Sequence, residues 1–295
     1  MTAKKIDQRL FDLYDKYCHG YIERREFIQR SMAIAVGTTS AAALIQSLMP
    51  SYAEAQMISF TDERIRGEYV QYPSPRGSGT MRGYLVLPMG QNARPAAGVL
   101  VIHENRGLNP HIEDVARRAA VEGFVALAPD GLTPVGGYPG NDDRGRALQA
   151  QIDPEQLKQD MLASARYLQS HPDCTGALGA TGFCWGGGMT NTLAVELGDS
   201  LQAAVPFYGG QPASEDVARI QAAMLIQYAE MDPRINAGWP DFEAALQANN
   251  VRYQMHMYSG TNHGFHNNST PRYDEAAAAL AWERTIAFFR EHLSS

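Results

Sequence analysis

Short apolar runs and helix-spaced apolar positions alternate along the chain from about residue 66 onward. Gly67–Tyr72 and Thr80–Leu87 read as two strands around the turn Pro73–Gly79, an antiparallel start. Ala97–His103 is a short run rich in Val and Ile, as expected for a buried strand. Asn109–Val121 has helical spacing, with Asn109 as N-cap and Pro110 at the first position. Phe124–Ala128 reads as another buried strand, closed by Pro129-Asp130-Gly131, and Leu132–Gly145, rich in Gly, Pro and Asp, as a loop. Asp153–Ser170 is predicted to be a helix capped by Asp153, with Pro154 at N1 and Gln156 at N3. Ala177–Phe183 is then a strand and Trp185–Gly198 a helix. Ala203–Tyr208 and Ala222–Tyr228 are strands, Gly238–Asn249 a helix, Val251–Tyr258 a strand and Pro271–His292 a long closing helix. Repeated β-α units imply a mostly parallel sheet with helices on both faces, an α/β fold. No repeat or linker interrupts residues 60–295, so this part reads as one domain.

The first 55 residues follow a different pattern. Glu23-Arg24-Arg25-Glu26-Phe27-Ile28-Gln29-Arg30 resembles a twin-arginine signal. A mildly apolar stretch rich in Ala, Thr and Ser runs from Met32 to Met49, and Ala53-Glu54-Ala55 matches an A-x-A cleavage site. In that order they predict an export leader, recognition by the twin-arginine machinery and a periplasmic protein beginning near residue 56; the alternative is an N-terminal helix and linker of a cytoplasmic protein. The weak helical spacing of Ile6, Leu10, Leu13, Tyr14 and Tyr17 suggests a short amphipathic helix ahead of the arginines.

With 295 residues the chain can bury a sizeable core. A net charge of −7 without any basic stretch argues against nucleic-acid binding. Cys18, Cys174 and Cys184 show neither a disulfide framework nor zinc-ligand spacing, and free thiols are expected.

Chemistry concentrates at Gly182-Phe183-Cys184-Trp185-Gly186-Gly187, between a predicted strand and a predicted helix. The G-x-nucleophile-x-G pattern is the nucleophile elbow of α/β hydrolases, with cysteine in place of the usual serine. Small neighbours are needed because the turn strains the backbone at the nucleophile. A small buried cysteine in a glycine-rich turn is the alternative. A thiol nucleophile needs a base, and the base needs an orienting carboxylate; in this fold they follow in the order nucleophile, acid, histidine. His263 lies in a loop directly after a predicted strand and is the expected base. His256 falls inside a strand, His292 on the last helix, and His266 is read as a lining residue or a spare ligand that forms a weak H-x-x-H metal pair with His263. Asp232, in the turn after Ala222–Tyr228, is the expected acid, with Glu230 as the fallback. Backbone amides of Trp185 and Asn105 are placed as oxyanion donors. Tyr138, Trp185, Tyr208 and Phe265 are candidate pocket walls.

The elbow, Glu104 in Val101-Ile102-His103-Glu104-Asn105-Arg106-Gly107, Asp232 and the loop His263-Gly264-Phe265 together resemble the dienelactone hydrolase family over about residues 65–293. The resemblance implies a Cys184-His263-Asp232 triad, a Glu104 that tunes thiol protonation, and hydrolysis of a carboxylic ester or lactone without metal or organic cofactor. It also implies two arginines that hold a substrate carboxylate. One falls in this chain at Gly131-Leu132-Thr133-Pro134 and the other at Asn267, so neither arginine is present; Arg106, Arg144 and Arg234 are the candidate substitutes. A non-catalytic binding protein on the same fold remains the rival reading, with a thiol redox protein behind it.

Overall fold

The computed structural model describes residues 6–34, 48–90 and 95–294. Its first elements are helices α1 (Gln8–Cys18), α2 (Arg24–Ile34) and the short α3 (Tyr52–Ala55). There follow β1 (Ile65–Ser74), β2 (Gly79–Pro88), β3 (Ala96–Ile102), α4 (Pro110–Val121) and β4 (Val125–Pro129). The middle holds α5 (Asp142–Gln149), α6 (Pro154–Gln169), β5 (Cys174–Phe183), α7 (Trp185–Leu197) and β6 (Ala203–Phe207). The chain closes with β7 (Ala223–Met231), α8 (Pro233–Asn236), α9 (Trp239–Ala248), β8 (Tyr253–Asn262) and α10 (Glu275–Leu293).

The eight strands form one sheet in the order β1-β2-β4-β3-β5-β6-β7-β8. β1 and β2 pair antiparallel, as do β2 and β4; every later pairing is parallel. The strands from β3 to β7 are apolar on both faces because helices cover both. One face packs Ile112, Val115 and Ala119 of α4 with Ile286 and Phe289 of α10. The other packs Met161 and Leu168 of α6, Leu193 of α7 and Leu246 of α9. This is the mostly parallel α/β sheet expected from the alternating pattern, in the α/β-hydrolase arrangement that the elbow implies.

Local chemistry sets the helix starts. Asn109 accepts from the Ile112 amide and Asp153 from those of Glu155 and Gln156, each with proline next in line. Three expectations are corrected. The loop 132–145 ends early, because Asn141 caps α5 and accepts from the Arg144 amide. The last helix begins at Glu275 rather than Pro271, because Asp274 takes the cap by accepting from Ala277. β7 and β8 run three and four residues beyond Tyr228 and Tyr258, since each continues the other's ladder to the pair Met231–Asn262.

Candidate active site

Cys184 joins β5 to α7 with φ 58° and ψ −114°, a left-handed conformation for a residue with a side chain. Such a conformation costs on the order of 1–3 kcal/mol and persists only where surrounding packing imposes it. Here the packing is backbone on backbone. A Cβ on Gly182 would lie 2.1 Å from the Gly186 carbonyl oxygen, and one on Gly186 would lie 2.4 Å from that of Ile102. The elbow therefore presses against both the start of α7 and the end of β3. Gly186→Ala is expected to destabilise the fold by about 3 kcal/mol or more, read as a lower midpoint of thermal unfolding; an unchanged midpoint would contradict this account of the elbow. The Cys184 amide donates to Phe207 O at 3.1 Å, which points the side chain away from the sheet at the N-terminus of α7. The positive end of that helix favours a thiolate.

β7 carries a register shift between Ala229 and Met231, and Asp232 emerges directly beyond it. Its carboxylate Oδ1 accepts from the Ile235 amide at 3.4 Å, and Oδ2 accepts from His263 Nδ1 at 2.5 Å. His263 follows the last residue of β8, and both partners are buried. With Nδ1 committed, His263 Nε2 is left buried and unpartnered among the described residues. Cys184 is close by: its sulfur and one ring nitrogen each of His263 and His19 all lie within 4.8 Å of one another. The acid, base and nucleophile expected from sequence are thus brought together, while Glu230 turns away to accept from Ser259 and Gly260.

The electrostatics favour charge separation. Burial opposes ionisation of the Cys184 thiol, yet the His263 and His19 imidazoles hold it well below its ordinary value. Burial disfavours an imidazolium at His263, but the Asp232 carboxylate and the Cys184 sulfur outweigh it and raise the group to about 9. Both shifts run in the direction of a buried thiolate-imidazolium pair. Because the folded-state value of His263 is raised from 6.5, its stabilisation is fully present below pH 6.5 and is lost as pH rises through about 9. The advantage of wild type over Asp232→Asn in unfolding midpoint, which separates this group from the opposing linkage of the depressed Cys184 thiol, is expected to shrink as pH rises from 6.5 through about 9; an advantage that does not change with pH would contradict the assignment.

Trp185 opens α7, so its amide has no intrahelical acceptor and lies beside the sulfur. Asn105 sits in the loop after β3 that touches the elbow, and its side-chain amide donates to Cys18 O at 2.8 Å. Glu104, fully buried, accepts from Asn267 Nδ2 at 3.2 Å and lies 3.5 Å from Arg106 Nε. Asn267 thus holds the glutamate where the family resemblance places an arginine. Arg106 is itself buried and bonded to Asp142 at 3.0 Å, Arg144 is exposed, and Arg234 lies at the triad, 3.3 Å from His263 Nδ1.

Some expected pocket residues sit elsewhere. Tyr138 spends its hydroxyl on Asp142 at 2.8 Å. Phe265 is a core residue packed on Tyr258 and Tyr208, because the turn after His263 points it beneath the sheet edge. His266 stacks on Phe183 and lines a separate cavity of about 680 Å³ with Trp282 and Tyr273, so it forms no ligand pair with His263. Tyr208 does belong to the site. Its backbone is left-handed (φ 37°), its ring centroid lies 4.9 Å from that of His263, and its buried hydroxyl has no partner among the described residues. Trp185 stacks on His103.

The segment read as an export leader lies on top of this site. α1 and α2 enclose a small apolar core of Leu10, Tyr14, Tyr17, Phe27 and Leu48. They are tied down by Arg146 to Tyr17 O at 2.6 Å, by Arg24 to Asp143 at 2.6 Å and by Arg272 stacked 4.7 Å over the Tyr14 ring. The amphipathic spacing of Leu10, Leu13, Tyr14 and Tyr17 is realised in α1. Most of the apolar stretch 32–49 lies outside the described residues, and among described residues no helix is long and apolar enough to cross a membrane. Ala55, at the A-x-A pattern, accepts from Asn268 Nδ2 through its carbonyl. A cavity of about 320 Å³ opens between α1 and the triad, walled by Phe11, Asp15 and Tyr21 on one side and by Asp232, Arg234 and His263 on the other. Sequence reading missed three residues here. His19 Nε2 stands 3.3 Å from Cys184 Sγ, Asp15 lies behind it, and buried Arg272 pairs with Asp15 at 3.5 Å. The available signal was the (i, i+4) spacing of Asp15 and His19 at a helix end. All three thiols are free.

Residues 81–293 match the dienelactone hydrolase family, and residues 1–36 match a second family described as YqhI-like. An Escherichia coli protein named "Putative hydrolase fragment YghX" is 60% identical over 115 residues, which span 39% of this chain and 97% of that protein. A Saccharolobus solfataricus protein named "Putative carboxymethylenebutenolidase" is 31% identical over 71% of this chain and 93% of its own length. Among solved structures, a dienelactone hydrolase-like promiscuous phosphotriesterase from metagenomic libraries superposes with a TM-score of 0.67 at 26% identity, covering 78% of this chain and all of that one. With its elbow, sheet order and matched length, the chain belongs to the dienelactone hydrolase family.

Proposed function

We propose that this protein hydrolyses a carboxylic ester or lactone through a Cys184 thioester, with His263 and Asp232 completing the triad. The observation that carries this reading is the buried, left-handed Cys184 close to His263, whose Nε2 is unpartnered and whose other nitrogen is held by Asp232. The thiolate attacks the carbonyl carbon, and the developing oxyanion meets the amides of Trp185 and Asn105. His263 gives its Nε2 proton to the departing alkoxide. Water then attacks the thioester, His263 accepts its proton, and the acid is released as the thiolate re-forms. Neither metal nor organic cofactor enters this sequence.

Glu104, Arg106 and Asn267 form a buried polar wall behind the elbow. On this reading Glu104 tunes thiol protonation, and Arg234 at the cavity mouth is the cation placed to meet an acidic substrate. The cavity of about 320 Å³ under α1 reaches Asp232 and His263 and has room for a small molecule. Tyr208→Phe is expected to lower kcat about tenfold, because its unpartnered buried hydroxyl lies at the triad and can hydrogen-bond a reaction intermediate; unchanged kcat would remove the hydroxyl from the mechanism. The reading as a whole is tested by hydrolysis of small aryl esters and a lactone panel by the full-length chain, beside Cys184→Ala.

A further inference from the structure

Two imidazoles flank the Cys184 sulfur, and the triad mechanism uses only one. We propose that His19 is a second catalytic histidine, whose Nε2–H donates to the Cys184 thiolate and stabilises the sulfur anion both at rest and as the leaving group of the thioester. This rests on the hydrolase reading above.

The geometry supporting it repeats the triad's arrangement with residues of the N-terminal segment. His19 Nδ1 lies 2.8 Å from Asp15 O and 3.4 Å from Asp15 Oδ1, so Nδ1 carries a proton and Nε2 is aimed at the sulfur 3.3 Å away. Asp15 is held in turn by Arg272 at 3.5 Å and Arg234 at 3.8 Å. Asp15-His19-Cys184 is thus a second carboxylate-imidazole-sulfur relay, contributed by α1 and the residue that caps it. Its rings are close enough for edge contact, with the His19 and His263 centroids 5.0 Å apart.

Titratable and charged groups face His19 from each packed element: Asp15 from α1, Tyr21 stacked beside it from the α1–α2 turn, Cys184 from the elbow, His263 from the loop after β8, and Arg234 from the β7–α8 turn. Arg234 is the competitor, with Nη2 3.0 Å from His19 Nε2. A guanidinium only donates, so it can bond that nitrogen only in the neutral ring. Its side chain is one-third exposed and can turn to water. Burial opposes charge on His19, yet the Cys184 sulfur and Asp15 outweigh it and raise the group to about 11. That direction agrees with a ring that donates from both nitrogens, Nδ1 to Asp15 and Nε2 to the sulfur.

The chemistry balances without a second proton transfer. In acylation the C–S bond forms while the carbonyl π pair moves to oxygen; collapse expels the alkoxide, which takes its proton from His263. In deacylation the C–S bond breaks and its electron pair returns to sulfur, where the His19 N–H receives it. His19 keeps its proton throughout. The assignment requires that the working enzyme retain the N-terminal segment, since cleavage after Ala55 removes both Asp15 and His19.

The test uses the full-length protein. The pH dependence of iodoacetamide alkylation at Cys184, located by peptide mapping, is measured for wild type, His19→Ala, His19→Gln, Asp15→Asn and Leu10→Ala, with ester turnover alongside. Leu10→Ala loosens the core of the segment without touching the imidazole. The expected result for His19→Ala is an alkylation midpoint at least one pH unit higher and kcat about ten- to a hundredfold lower, with KM within about threefold. Asp15→Asn should fall between it and wild type, and Leu10→Ala should keep the wild-type midpoint. An alkylation midpoint within about 0.3 pH unit of wild type together with a kcat within about twofold in His19→Ala would overturn the proposal, as would equal shifts in Leu10→Ala and His19→Ala. If His19→Ala does not fold, His19→Gln and Asp15→Asn decide by the same criteria. Because alkylation needs no substrate, it judges His19 even if no ester is turned over and the hydrolase reading fails.

Discussion

Cys184→Ala is expected to lower kcat/KM for any ester the enzyme accepts by at least about a thousandfold. Removing the sulfur deletes the covalent route, and the remaining groups cannot supply a comparable nucleophile. His263 would still be oriented by Asp232, but the sulfur beside it would be gone. Water activated by that histidine is the residual path, and it lacks both the thiolate's nucleophilicity and its fixed position at the elbow. Folding should survive, because alanine removes one atom and leaves the left-handed turn imposed by the glycine contacts. A parallel unfolding curve with abolished turnover is the expected pair of observations. Equal turnover by both proteins would remove the thiol from the reaction and favour the non-catalytic alternative for this site.

Asp232→Asn is expected to reduce kcat by about a hundred- to ten-thousandfold with little change in KM. The carboxylate does two things in this structure: it accepts from Nδ1 at 2.5 Å, fixing the ring and its tautomer, and it helps hold His263 up to about 9. An amide can present its NH2 to Nδ1 instead, which moves the proton to Nε2 in the neutral ring and removes the lone pair required to accept water's proton. The imidazolium is also lost near neutral pH, so the thiolate loses a counter-charge. Alkylation of Cys184 should then show a higher midpoint in the variant. A kcat within threefold of wild type would mean that another group, such as Glu230, orients the base; its present bonds to Ser259 and Gly260 make that a poor substitute.

Much of this was legible in the residues. The elbow could be read because G-x-C-x-G is a local backbone requirement, and the contacts at Gly182 and Gly186 show which atoms impose it. Asp232 and His263 could be read because each directly follows a strand, and strand ends of a parallel sheet converge on one edge. Phe265 and His266 misled because adjacency to His263 in sequence says nothing about side-chain direction in a tight loop. Arg272 was hidden in a stretch that looked like the beginning of the last helix, and its role depends on Asp15, 257 positions away.

The N-terminal segment shows the limit most clearly. Paired arginines, small apolar residues and A-x-A describe composition and order, and those describe a leader. They say nothing of Tyr17 stacked on Phe27, of Arg146 over Tyr17, or of His19 at the sulfur, which arise only when two distant parts of the chain meet. By itself the sequence determined the alternating α/β pattern, the helix caps and the positions of Cys184, Asp232 and His263 just beyond strand ends, because periodicity, capping and turn strain act over a few residues. The tertiary structure alone decided the second imidazole, the buried arginines and the cavity under α1, because burial and charge pairing depend on which surfaces pack together.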